Sequence, residues 1–146
     1  MAEIQQEICP ITGDDLFIIL DHINAKFEYP IHCHPEYEIN VVINTSGTRV
    51  IGDSEETYTD LDLVMIGPYV PHVWKAEGAE NHVMTIQFSR DLLNFHIMNK
   101  RLFAPIKQLL MDSMQGLHFY GIDAEHIKDE IMELTKIQGF QSATKF

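Results

Sequence analysis

Cysteine is scarce in this 146-residue chain: Cys9 and Cys33 are the only two. They have neither the number nor the spacing of a disulfide scaffold or a cysteine-built zinc site, and a reducing cytoplasm is the simplest setting for them. Basic residues are scarce too. Ten Lys and Arg stand against 22 Asp and Glu, for a formal charge of −12, and Lys100-Arg101 is the one adjacent basic pair. Such a balance repels a phosphate backbone, so direct nucleic-acid binding by this chain is not expected. No apolar run approaches the roughly 18 residues of a membrane span. The acidic start, Met-Ala-Glu-Ile-Gln-Gln-Glu, has none of the basic and apolar regions of a signal peptide. A cytoplasmic chain without membrane contact is expected. A glycine-rich phosphate loop, a Gly-x-Ser-x-Gly elbow and a partner set for a nucleophilic Cys or Ser are likewise missing.

What the chain does have is apolar content, 45%, enough for the core of one domain. Its first part reads as short strands between turns. Residues 16–20 form an apolar run suited to burial on both faces; 39–43 is the clearest strand; Asn44-Thr45-Ser46-Gly47 reads as a turn returning through 48–51. Residues 57–59, 61–66, 70–74 and 82–88 add more. In 82–88 Met84, Ile86 and Phe88 alternate with Val83, Thr85 and Gln87. This spacing predicts an all-β sandwich or barrel rather than βα units.

At Ser89, a good N-cap, the pattern becomes helical. Pro105 can open one helix, closed by Gly116. Asp123 starts another, with Ile127, Ile131, Leu134 and Ile137 on one face and Gly139 after its end. The predicted organisation is a β domain over 1–88 and an α-helical segment over 89–146. The Ile/Leu stripe either packs on the β domain or makes a symmetric dimer contact.

Residues 29–47 carry the densest set of ligand atoms. His32, His34 and Glu38 share the even parity that puts them on one face of an extended chain, opposite Tyr37, Ile39 and Val41. Pro35 bends the strand between them. With His72 they amount to three imidazoles and a carboxylate, a set suited to one divalent first-row ion such as Zn, Ni, Mn or Fe. Spacing alone leaves open whether an ion is held. Tyr29 and Trp74 stand nearby as candidates for the wall of a small-molecule pocket. His22, His82, His96, His118 and His126 have no partner spacing and are read as structural.

His32-x-His34-x-x-x-Glu38, a strand, Gly47, then Asp62-Leu63-Val64-Met65-Ile66, Pro68 and His72 resemble the two motifs of the cupin superfamily. In the second motif Leu61 stands where a glycine is usual. The wording is narrower still. Tyr-Pro-Ile-His-Cys-His-Pro-Glu-Tyr-Glu over 29–38, Gly47-Thr48-Arg49-Val50-Ile51-Gly52-Asp53-Ser54, and Gly67-Pro68-Tyr69-Val70-Pro71-His72-Val73-Trp74 resemble the sensor half of AraC-type transcription regulators. Ile86-Gln87-Phe88-Ser89 and residues 105–119 are similar to the segment joining that half to the DNA-binding half.

The resemblance implies a mainly β fold, a cupin-like antiparallel β-barrel of jelly-roll type with a C-terminal α-helical tail. It implies an effector-sensing domain that binds a small molecule, a sugar or its derivative, through His32, His34, Glu38, His72, Tyr29 and Trp74. It further implies a homodimer, placed here at Ile127, Ile131 and Leu134, and DNA contact through helix-turn-helix units beyond Phe146. The rival expectation is a metal-dependent cupin enzyme, an isomerase or dioxygenase, with the three-His, one-Glu set as its centre.

Overall fold

The computed structural model describes residues 3–78 and 80–146, the side chain of Phe140 excepted. Eight strands form one sheet: β1 (Gln5–Gln6), β2 (Phe17–Ile23), β3 (His32–Cys33), β4 (Tyr37–Ile51), β5 (Ser54–Ile66), β6 (His72–Glu77), β7 (His82–Phe88) and β8 (Leu117–Phe119). Three α-helices lie in the C-terminal part: α1 (Ala104–Asp112), α2 (Gly121–Leu134) and α3 (Phe140–Lys145). The fold is mainly β, as expected. Its sheet is mixed, since β1 pairs with β3 in parallel while the other ladders are antiparallel. Among the described residues no ladder joins the two ends of the sheet, so the barrel expected from the motifs is not closed.

β4 organises the sheet. It pairs with β5 along its whole length, with β7 through residues 37–43, and with β6 through residues 46–51. The switch of partner falls at a bulge between Ile43 and Ser46, where Asn44 has φ 63°. An αL residue in a strand sharpens its twist and bends it, and that bend moves β4 from one neighbour to the other. Residues 44–47 are therefore a corner within a strand, which corrects the expected hairpin there. Gly47 has another role: a Cβ on it would sit 1.9 Å from the Lys75 carbonyl oxygen of β6. The hairpin comes later, at Gly52-Asp53 (Gly52 φ +56°), between Ile51 and Ser54.

The sheet has two covered faces. On one, Tyr37, Val41, Leu63, Met65, Met84, Ile86 and Phe88 form a cluster with Met98, Leu110, Ala124, Ile131 and Leu134 of the helical part. On the other, Val42, Val64, Ile66, Trp74 and Val83 gather inside the curve of the sheet. Strand parity accounts for the division: up to the bulge β4 sends odd-numbered residues to the helices and even-numbered ones inward, and the extra residue at the bulge reverses the phase, so that Ile51 lies inward. β2 pairs with β7 alone and is half-buried to exposed rather than buried on both faces.

The helical part departs from expectation at three points. After the Ser89 cap, which accepts from the Asp91 amide, residues 90–103 run as three short 3₁₀ pieces. Residues 117–119 form a strand that pairs with β5. α2 begins at Gly121 and ends at Leu134, so Asp123 lies inside its first turn and Gly139 precedes α3 instead of closing α2. The Ile/Leu stripe packs on the sheet: Ile131 and Leu134 are 5% and 4% exposed. Burying such side chains contributes about 1.5–3 kcal/mol each. This corrects the placement of a dimer contact at Ile127, Ile131 and Leu134, since two of the three are covered within the chain.

Candidate functional site

The histidine-rich segment enters the sheet as a short edge strand. β3 pairs with β6 so that His32 lies opposite His72, and Pro35 lets the chain turn before β4 begins at Tyr37. His34 lies beyond the end of β3, yet the bend keeps its ring inside. The imidazole nitrogens of His32, His34 and His72 come within 4.8 Å of one another. The His72 ring is 4.3 Å from that of His32 and 5.0 Å from that of His34, centroid to centroid. Glu38 completes the group, with Oε2 2.9 Å from His34 Nε2 and Oε1 3.8 Å from His72 Nε2.

Each histidine is held by its backbone in the same way. Nδ1–H donates to a carbonyl two residues away along the chain: Pro30 at 3.0 Å for His32, Glu36 at 3.2 Å for His34, Val70 at 2.8 Å for His72. Anchoring one ring nitrogen to a carbonyl orients the ring and turns the other nitrogen to the cluster, as is usual for metal-binding histidines. His72 Nε2 is buried and has no partner. The donor set and its anchoring fit a divalent first-row ion, for which His32, His34, His72 and Glu38 would be the ligands.

The charges are shaped by burial. Burial lowers His34, but the hydrogen bond and charge of Glu38 outweigh it and carry the imidazole above its ordinary value. Burial raises Glu38, yet the His34 hydrogen bond and nearby imidazoles hold it at about 2. His72 falls to about 4, chiefly by burial, despite the attraction of Glu38. At neutral pH the floor thus holds an ionised Glu38, hydrogen-bonded to His34, beside a neutral His72 with a free lone pair.

Above this floor lies a cavity of about 240 Å³, lined among others by Tyr29, His32, Glu38, Asn40, His72 and Trp74. Tyr29 is half exposed at the rim, its ring edge-on to His32. Several lining residues escaped the sequence reading. Asn40 shares the even parity of Glu38 and could have been found by extending it. Gln87, which donates to Glu38 Oε2 at 3.1 Å, lies on β7 and joins the site only through sheet pairing. Gln87 Oε1 is buried without a partner. His22, read as structural, also lines this cavity.

Trp74 links the cavity to a second polar group. Its Nε1–H donates to Asp62 Oδ2 at 2.7 Å, and Asp62, fully buried, is 3.4 Å from Arg49 Nε and 3.6 Å from His118 Nε2. Burial raises Asp62, while Trp74 and Arg49 oppose the rise.

The N-terminal segment adds ligand atoms of another kind. The Gln5 amide donates to the Ile31 carbonyl and that of Glu7 to Cys33, which lays residues 5–7 along β3. Glu7 Oε2 is then 3.5 Å from His32 Nε2 and 4.0 Å from His34 Nε2. Cys9 is buried and clusters with Glu7 and His34.

No protein-family model and no curated protein matches the sequence. Solved structures do match. An apo variant of ToxT from Vibrio cholerae superposes with a TM-score of 0.58 at 13% identity, and a ToxT structure in another crystal form with 0.55 at 9% identity. Each match covers 90% of this chain and 52% of the other, so the chain spans about half the length of the solved structures it matches. At such identities the likeness is one of architecture. The fold of this chain, a β domain followed by helices, is similar to that of the matched half of ToxT.

Proposed function

We propose that the chain is the effector-sensing domain of an AraC-type transcription regulator, without catalysis of its own. ToxT is an AraC-family regulator, and the sequence motifs at 29–38, 47–54 and 67–74 point independently to the same class. One observation carries the assignment of the site: the cavity beside Trp74 is bordered by buried polar atoms, His72 Nε2 and Gln87 Oε1, that lack partners. A buried polar atom left unpaired costs about 1–3 kcal/mol. A ligand that supplies hydroxyl donors would recover that cost. Polar groups beside an aromatic wall suit a sugar or its derivative, and one divalent ion held among the histidines and carboxylates of the floor belongs to the same reading. An effector shifts a regulator only through different affinity for its two arrangements. Here the Trp74–Asp62–His118 contacts connect the cavity to β8 and the helices that follow. Dimerisation through the helical part belongs to this reading too. With Ile131 and Leu134 covered, it would have to use the exposed side, where Tyr120 and Ile122 stand.

Trp74 is the sole tryptophan, so fluorescence reports on the cavity directly. Titration with a panel of neutral and acidic monosaccharides is expected to give a saturable change with at least one member. Gln87→Ala should weaken that binding about tenfold, the loss of one good hydrogen bond. Absence of a saturable response across the panel refutes the sugar assignment, and an unchanged affinity in Gln87→Ala refutes the site.

A further inference from the structure

Two groups of potential metal ligands overlap in this chain. His32, His34 and His72 form one; Glu7, Cys9 and His34 form the other, with one donor atom from each residue within 4.8 Å of the rest. His34 belongs to both. Its Nδ1–H is engaged by the Glu36 carbonyl, so Nε2, which here donates to Glu38 Oε2 at 2.9 Å, is the nitrogen that would turn to an ion. One nitrogen serves one ion, and the two groups therefore describe alternative seats for a single metal.

Donor type favours the seat at the N-terminal segment, and donor spacing permits it. Ligands at 2.0–2.3 Å around a tetrahedral ion stand about 3.3–3.8 Å apart. Glu7 Oε2 already lies 3.5 Å from His32 Nε2 and 4.0 Å from His34 Nε2. Cys9 adds sulfur, the softest donor in the cluster, and its side chain is 8% exposed. Glu7, Glu36 and Glu38 crowd the same imidazoles, an excess of negative charge that a cation would offset.

We propose that Glu7, Cys9 and His34 hold one borderline divalent ion, Zn²⁺ or Co²⁺, through a thiolate, an imidazole and a carboxylate, with His32 as fourth donor. The proposal deepens the assignment of the pocket and rests on it for the shared His32 and His34. Binding releases the Cys9 thiol proton and the His34 Nε2 proton to solvent. The ion fastens residues 5–9 to β3, so metal occupancy and the order of the N-terminal segment rise together.

The test uses reduced, chelator-stripped protein titrated with Co²⁺. One ion per chain is expected, with thiolate-to-cobalt charge-transfer absorption in the near ultraviolet. Cys9→Ser should abolish that band and weaken Zn²⁺ binding at least about tenfold in competition with a chromophoric chelator. Cys33→Ser should change neither, and far-ultraviolet circular dichroism checks that each variant is folded. Bound Co²⁺ without the band, or a band that survives in Cys9→Ser, overturns the proposal and leaves the all-imidazole seat standing. Failure to bind Co²⁺ overturns it as well. The Trp74 titration with organic ligands is independent of both results and bears on the sensor reading alone.

Discussion

His72 offers the sharpest test of the electrostatics at the pocket floor. Its ring is 1% exposed and its pKa is lowered from an ordinary 6.5 to about 4. Between those values the unfolded chain takes up a proton that the native chain refuses, so stability falls as pH drops from 6.5 towards 4 and is unaffected by this group above 6.5. At roughly 1.4 kcal/mol per pH unit, the whole interval is worth about 3 kcal/mol. Glu38, held at about 2 against an ordinary 4.5, loses its contribution in a lower window. His34, raised, contributes below 6.5 and loses its contribution as pH rises through its native value. The interval from 6.5 to 4.5 lies outside the windows of Glu38 and His34, and comparison with a His72 variant separates His72 from the other groups. His72→Asn keeps a donor for the Val70 carbonyl and removes the titration. Urea unfolding of metal-stripped protein at several pH values should show the native sequence losing stability relative to the variant by up to about 3 kcal/mol as pH falls to 4, with parallel behaviour above 7. Parallel curves throughout would refute the buried neutral imidazole.

Two further outcomes follow from the packing. Ile131→Ala should lower stability by roughly 2–5 kcal/mol, as for other large-to-small core changes, with no dependence on protein concentration in urea unfolding; a concentration-dependent loss would return this residue to a subunit contact. Arg49→Met should cost about 3–5 kcal/mol because fully buried Asp62 loses its cationic partner, and adding Asp62→Asn should restore much of it in thermal melts; a second change that only adds to the loss would contradict the pairing.

The parts of the fold legible in the sequence are those set by local period. Residues 82–88 alternate cleanly and form β7 with the same bounds. Of the even-parity set, His32 and Glu38 line one cavity even though Pro35 interrupts the strand, while His34 is buried beside them and bonded to Glu38. Residues 44–47 misled for a physical reason: Asn and Gly mark both turns and strand corners. Here Asn44 supplies the αL conformation and Gly47 the close approach of β6. β8 is three residues long and exists through its pairing with β5, which no local pattern announces. Cys9 and Glu7 were missed for a similar cause. Their place beside His34 depends on a parallel pairing between residues more than 20 positions apart. The stripe of α2 was visible, but periodicity marks an apolar face without saying what covers it.

The central claim, that the cavity over His32, His34, Glu38 and His72 is where an effector binds, is tested most directly by amide chemical-shift mapping with whichever monosaccharide perturbs Trp74. Saturable shifts are expected at 32–40, 72–74 and 85–87, with smaller ones relayed to 117–119, and little change along 104–112. Shifts confined to the helical segment, or scattered over the surface without saturation, would contradict it.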